Sequence, residues 1–153
     1  MPIISADNAD QVKTFLQDNL QDSVSIELFT RKRSMLFVPG QPECETCEDT
    51  EALLSELAVL SDKLSLEVHD LKANPVAGAS EDVASDMVPT IVLRGKDRGK
   101  VRFMGLPAGY EFSTLIQDLA NVSKGTTSLS QATRDDLAAL AEDVHIRVFV
   151  TPT

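Results

Sequence analysis

Between Ser23 and Leu71 the spacing of apolar residues changes twice, and no other feature limits the architecture as much. Val24, Ile26 and Leu28 alternate with Ser23, Ser25 and Glu27, the two-residue period of a strand. Leu53, Leu57, Leu60 and Leu64 then recur near helical spacing, with Leu54 beside them, in a segment predicted as a helix from about Cys44 to Ser61. Alternation returns at Leu64, Leu66 and Val68. Strand, helix, strand in succession favours parallel pairing, because parallel strands need a long crossover, and that crossover is right-handed.

The flanks add to this βαβ unit. Ser5 and Asp7 suit the start of a first helix burying Val12, Phe15, Leu16 and Leu20. "PTIVLRGKDRGKVRFMG" predicts a β-hairpin, Ile91 to Leu93 up and Val101 and Phe103 down. "AGYEFSTLIQDLANVS" is an amphipathic helix with Phe112, Leu115, Ile116, Leu119 and Val122 on one side. Two segments are less regular. "SMLFVPG" reads as a short strand ended by Pro39-Gly40, and Pro75 opens a helix whose thin apolar face is Val83, Ala84 and Met87.

After the polar linker "SKGTTS", Ser130 caps a helix carrying Leu137, Leu140 and Ala141. "VHIRVFV" then alternates Val144, Ile146 and Val148 as a strand. This passage resembles the first helix-to-strand passage, Val12 to Phe29, and reads as a repeat cut short. The expected organisation is one α/β unit over 1–125, followed over 126–153 by a linker helix and the first strand of a second unit.

The 153 residues suffice for a core without disulfide staples. A net charge of −10 argues against binding nucleic acid. The basic clusters are short: Arg31-Lys32-Arg33, read as a solvated loop, and the turn from Arg94 to Lys100. No apolar run approaches the ~20 residues that span a bilayer, so no membrane partner is expected. The start, "MPIISADNAD", has neither a basic region nor an apolar core of signal-peptide type. A cytoplasmic location is expected, where a cysteine pair is more often catalytic or metal-binding than structural.

Both cysteines, Cys44 and Cys47, lie in "PECETCEDTEALLSEL" at the head of the second helix. Two residues apart in a first turn, they can bond without moving the backbone. First-turn amides and the helix dipole favour a thiolate there. Cys47 precedes Leu54 by seven residues and shares its inward stripe, whereas Cys44 sits at the mouth. Cys44 is therefore the attacking thiol and Cys47 the shielded, resolving one. The carboxylates of Glu43, Glu45, Glu48 and Asp49 oppose ionisation, which predicts a Cys44 less acidic than in a neutral setting and a more reducing pair.

Other readings of the pair are a zinc site and two inert cysteines. One CxxC gives two of the four ligands zinc needs, and no second CxxC or nearby histidine pair supplies the rest, so no metal is predicted. His69 and His145 are distant in sequence and read as structural.

CxxC at a helix start after a first strand, followed by "VPT" leading into a hairpin, is the layout of thioredoxin-like proteins. Residues 95–125, "GKDRGKVRFMGLPAGYEFSTLIQDLANVSKG", are more specific. They resemble the N-terminal half of the tandem glutaredoxin-like protein disulfide oxidoreductases of archaea and thermophilic bacteria. "VHIRVFVTPT" resembles the opening of that family's second unit, just before its own CxxC.

The resemblance implies a thioredoxin-like α/β fold with a central mixed sheet. It implies Cys44 and Cys47 as the redox pair, Pro89 as the cis-proline facing the disulfide, and the Val88 backbone as a pairing site for an extended substrate peptide. It implies a thiol–disulfide oxidoreductase acting in cell redox homeostasis on protein disulfides, re-reduced by a thioredoxin-reductase-like flavoprotein and needing no cofactor of its own. A non-catalytic thioredoxin-like docking module is the alternative. The chain departs from the family in the longer segment "RKRSMLFVPGQPE" before the cysteines, in Glu-Thr between them, in Ser85, and in lacking a second CxxC.

Overall fold

A computed structural model describes residues 2–33, 43–95, 100–126 and 128–148. Helix α1 (Ala6–Asn19) starts at Ser5, whose hydroxyl accepts the Asn8 amide at 3.4 Å, as predicted. Strand β1 (Val24–Thr30), helix α2 (Cys47–Ala58) and strand β2 (Leu64–Asp70) follow. After a single 3-10 turn (Ala79–Glu81) come β3 (Thr90–Arg94), β4 (Val101–Met104), α3 (Tyr110–Lys124) and α4 (Gln131–Ala138).

The strands form one sheet in the order β2-β1-β3-β4. β1 pairs parallel with β2 and antiparallel with β3, which pairs antiparallel with β4. The βαβ crossover and the hairpin are both present. The register sets Ile26 between Leu66 and Leu93, and Leu28 between Val68 and Ile91, so the apolar half of each alternation meets on one face. Val12 and Leu16 of α1, Leu53, Leu54 and Leu57 of α2, and Leu115 and Leu119 of α3 join these strand residues in one buried cluster. Each fully buried leucine contributes on the order of 1.5–3 kcal/mol, so the three helices are held by packing more than by propensity. The chain's start is tied to α2 through Glu56, which accepts the Ile4 amide at 2.8 Å and the Ile3 amide at 2.9 Å, bonds that lower its carboxyl pKa.

The opposite face is covered by the segment 71–88. Phe29 and Val92 pack there with Leu71 and Val83, and Met87 and Val88 lie against them. The rest of this face is charged. Glu27 stands directly opposite Glu67, and His69 Nε2 lies 3.6 Å from one and 3.7 Å from the other. Arg94 Nε donates to Glu27 at 3.1 Å, and Arg94 also reaches Glu81. Glu81, only 4% exposed, accepts Lys100 Nζ at 2.9 Å, while Arg102 donates to its backbone carbonyl. Hydrogen bonding from Lys100, joined by the charge of Arg94, outweighs burial and holds the Glu81 carboxyl below its ordinary value. The covering segment is thereby pinned to β3 and β4.

Three sequence expectations change. The helix expected from Pro75 is not formed: the segment is a run of turns with one 3-10 turn, and Asp82 has φ 52°, outside any right-handed helix. Gly78 is pressed against Val83, whose carbonyl oxygen would lie 2.3 Å from an added Cβ. The strand expected over 144–150 is not formed over its described residues 144–148, where Val144, Ile146 and Val148 are exposed and paired with nothing in the sheet. A strand exists through a neighbour's hydrogen bonds, and among the described residues no strand pairs with this segment. Third, α4 ends at Ala138, so of Leu137, Leu140 and Ala141 it carries only Leu137, although Ser130 caps the helix as expected, accepting the Thr133 amide at 3.2 Å; Leu137 and Leu140 are exposed. The strand expected at Ser34 to Gly40 lies outside the described residues.

Candidate active site

Helix α2 begins at Cys47 and not at Cys44, because Thr46 has φ −107° and ψ 1°. The Thr46 carbonyl accepts both the amide and the hydroxyl of Thr50, at 2.9 and 2.7 Å, which fixes the first turn. The bend through Glu45 and Thr46 brings Cys44 back over the helix end, and Cys44 and Cys47 form a disulfide (S–S 2.06 Å, Cα–Cα 5.5 Å). The two sulfurs differ in access. Cys47 is 1% exposed, on the helix face that buries Thr50 and Leu54, while Cys44 is partly exposed. Glu43, Glu45, Glu48 and Asp49 are all exposed, so water screens the negative charge that the sequence places around the pair.

A pocket of about 520 Å³ opens beside Cys47. The end of β1 and the residues after it, Thr30, Arg31, Lys32 and Arg33, form one side, and Glu51 on α2 forms part of the other. Arg31 also donates to the Ser85 carbonyl, linking this wall to the segment that leads to Val88. The Val88–Pro89 peptide bond is cis. Antiparallel pairing of β1 with β3 ends at Phe29 and Thr90, and one further step of that register sets Pro89 alongside Thr30. Thr30 thus adjoins both the proline and the pocket that reaches Cys47. Val88 is half-buried against the Phe29 cluster, and no hydrogen bond among the described residues uses its backbone.

The structure therefore bonds Cys44 to Cys47 and sets Pro89 alongside Thr30, the last residue of β1, which lines the pocket that reaches Cys47. His69 stacks on Phe29 (ring centroids 4.9 Å apart) within the charged face, and His145 accepts from Arg147 in the exposed tail. Neither lines the pocket. Among the described residues no group of three or more histidines, cysteines or acids is placed to hold a metal ion. The Arg31-Lys32-Arg33 run has no regular structure and exposes Lys32 and Arg33, as a solvated loop does, and it also lines the pocket beside Cys47. The available signal was its position immediately after β1, at the carboxyl end of a strand with a parallel neighbour, where α/β sheets place their sites.

A disulfide loop feeding the helix of a βαβ unit, next to a hairpin entered through a cis-proline, defines a thioredoxin-like protein, and the fold is of that class. In solved structures it matches a protein disulfide oxidoreductase of Aeropyrum pernix, with a TM-score of 0.71 and 26% identity over 90% of this chain and 55% of that one. It also matches an alkylhydroperoxide reductase, AhpF, of Enterococcus faecalis, with a TM-score of 0.70 and 20% identity over 89% of this chain and 60% of that one. No family model matches the sequence.

By sequence the chain is 29% identical over 111 residues to an NADH dehydrogenase of Bacillus subtilis, covering 72% of this chain. It is 26% identical over 117 residues to an alkyl hydroperoxide reductase component of Staphylococcus aureus, covering 76%. It spans about a fifth of these two relatives, 19% and 20% of their lengths. Among the described residues no helix is long and apolar enough to cross a membrane.

Proposed function

We propose that the chain is a thiol–disulfide oxidoreductase exchanging a dithiol for a disulfide with protein substrates through Cys44 and Cys47. The carrying observation is the bonded pair with unequal access, one sulfur partly exposed and the other 1% exposed. In the reduced state Cys44 attacks a substrate disulfide and forms a mixed disulfide. Cys47 then attacks Cys44, closes the bond seen here, and releases the substrate as a dithiol.

The unused backbone groups of Val88, one residue before the proline that lies alongside Thr30, support docking of an extended substrate strand there. The names of the matched proteins, a protein disulfide oxidoreductase and components of a reductase, favour the same chemistry. Electrons return from a thioredoxin-reductase-like flavoprotein, or from a flavoprotein part of the same assembly, in the cytoplasm. Nucleic acid and membrane have no part in the reaction. Residues 126–153 begin a second thioredoxin-like unit, a reading supported by the exposed apolar residues from Leu137 to Val148 and by the partial coverage of the matched structure.

The test is dithiothreitol-dependent reduction of a protein disulfide by the native chain and by Cys44→Ser. The native chain accelerates the reaction and Cys44→Ser does not. Equal rates for the two would end the oxidoreductase reading and leave a docking module.

A further inference from the structure

The resolving step poses a problem that the fold must solve. Cys47 is 1% exposed, and burial raises a thiol's pKa, yet it must become a thiolate before it can attack Cys44. The proton needs an acceptor, and the pocket beside Cys47 contains two carboxylates, those of Glu48 and Glu51. Helix geometry distinguishes them. Residues one apart on a helix do not face each other, whereas residues four apart lie about 5–6 Å apart at their Cβ atoms on the same face. Glu51 is four residues after Cys47, half-buried, and Glu48 is its exposed neighbour.

The Glu51 carboxylate makes no ion pair or hydrogen bond with any described residue; only its backbone carbonyl is used, by Ser55. Arg31, Lys32 and Arg33 line the same pocket. At about 520 Å³ the pocket holds water as well, at ~30 Å³ a molecule.

We propose that Glu51 is the proton acceptor of Cys47. This rests on the oxidoreductase reading and deepens it. In the mixed disulfide, the Cys47 thiol passes its proton to the Glu51 carboxylate, directly or through one pocket water. The Cys47 thiolate attacks the Cys44 sulfur, the Cys44–Cys47 bond forms, and the bond between Cys44 and the substrate breaks. The electron pair leaves with the substrate sulfur, which is protonated from solvent. In the reverse direction a reductant's thiolate attacks Cys44, Cys47 departs as the thiolate, and protonated Glu51 returns the proton.

The experiment is single-turnover, acid-quenched mass spectrometry of the reduced full chain with a disulfide-bonded peptide. It separates formation of the Cys44 mixed disulfide from its release. Glu51→Gln forms the mixed disulfide at the native rate but releases it roughly 100-fold more slowly at pH 7, the lower end of what a positioned base supplies. Its release rate then follows ionisation of the thiol itself, rising about tenfold per pH unit, so the two proteins converge above pH ~9. Glu51→Asp recovers part of the loss, and Glu111→Gln, which removes an exposed carboxylate on α3 outside the pocket, keeps the native rate and profile.

Native release and an unchanged pH profile in Glu51→Gln, with the mixed disulfide forming normally, overturn the Glu51 assignment alone. If no mixed disulfide forms even in Cys47→Ser, the oxidoreductase reading fails and the assignment falls with it.

Discussion

Replacing Glu81 by Gln tests how the segment leading to Val88 and Pro89 is held in place. The carboxylate is 4% exposed, accepts Lys100 Nζ at 2.9 Å, and is bonded to Arg94. Charge-assisted hydrogen bonds contribute about 1.5–3 kcal/mol each. The side chains of Arg94 and Lys100 are 38% and 37% exposed, so both cations can rehydrate once the carboxylate is gone, and Arg94 keeps Glu27. The Arg102 bond to the Glu81 backbone also survives. The loss therefore falls near ~2 kcal/mol, below the ~3–5 kcal/mol expected when a fully buried charge is stranded. In a chain of this size that lowers the melting temperature by about 4–8 °C.

The pH dependence follows from the direction of the shift. Glu81 has a folded-state pKa below its ordinary 4.5, so its contribution is complete above the unfolded value and is lost as pH falls through the folded one. Urea unfolding of the oxidised native chain and of Glu81→Gln, from pH 7 down to pH 3, would show a gap that is widest at neutral pH and closes in acid. A gap that is absent at pH 7, or that widens as pH falls, refutes the reasoning.

Further predictions follow from packing and charge. Leu54→Ala removes a fully buried side chain between α2 and the sheet and costs about 2–5 kcal/mol by denaturant titration. A loss under ~1 kcal/mol would show that the core collapses into the space. Gly95→Ala would set its Cβ 2.2 Å from the Val122 carbonyl oxygen on α3, and displacing backbone costs about 1–3 kcal/mol in the same assay. Glu43→Gln with Glu45→Gln lowers the pH midpoint of Cys44 alkylation in the reduced protein. Since both carboxylates are exposed, the change is under about one unit, and an unchanged or raised midpoint contradicts the charge argument.

Much of the sheet was legible because its strands carry their own evidence. The alternation at Val24, Ile26 and Leu28 meets Leu64, Leu66 and Val68 on one side and Ile91 and Leu93 on the other, as the pattern requires. The cysteine pair was legible from spacing, although the helix starts three residues later than expected: the non-helical Thr46 sits between the cysteines and leaves no sequence mark. The segment after Pro75 was misread because Val83 and Met87 pack against Phe29 and Val92 of the sheet from a run of turns and not from a helix. The left-handed Asp82 and the close contact of Gly78 with Val83 depend on packing and not on local preference.

The Glu81 network joins residues 13 and 19 positions apart, and no local pattern announces such a cluster. The basic run after β1 was visible, but its role depends on α2 lying across from it. The tail differs in kind: Leu137, Leu140, Val144, Ile146 and Val148 have a regular pattern, and none is buried. Pattern describes what a segment is suited to pack against, and the described residues supply no partner.

The most direct test of the account is to mix reduced Cys47→Ser with a disulfide-bonded peptide and map the product by mass spectrometry. A stable adduct of one peptide thiol on Cys44 is the predicted result, because the attacking sulfur remains and its resolving partner is gone. A protein that stays unmodified under conditions where free dithiothreitol reacts would contradict the assignment of Cys44 as the exchanging thiol.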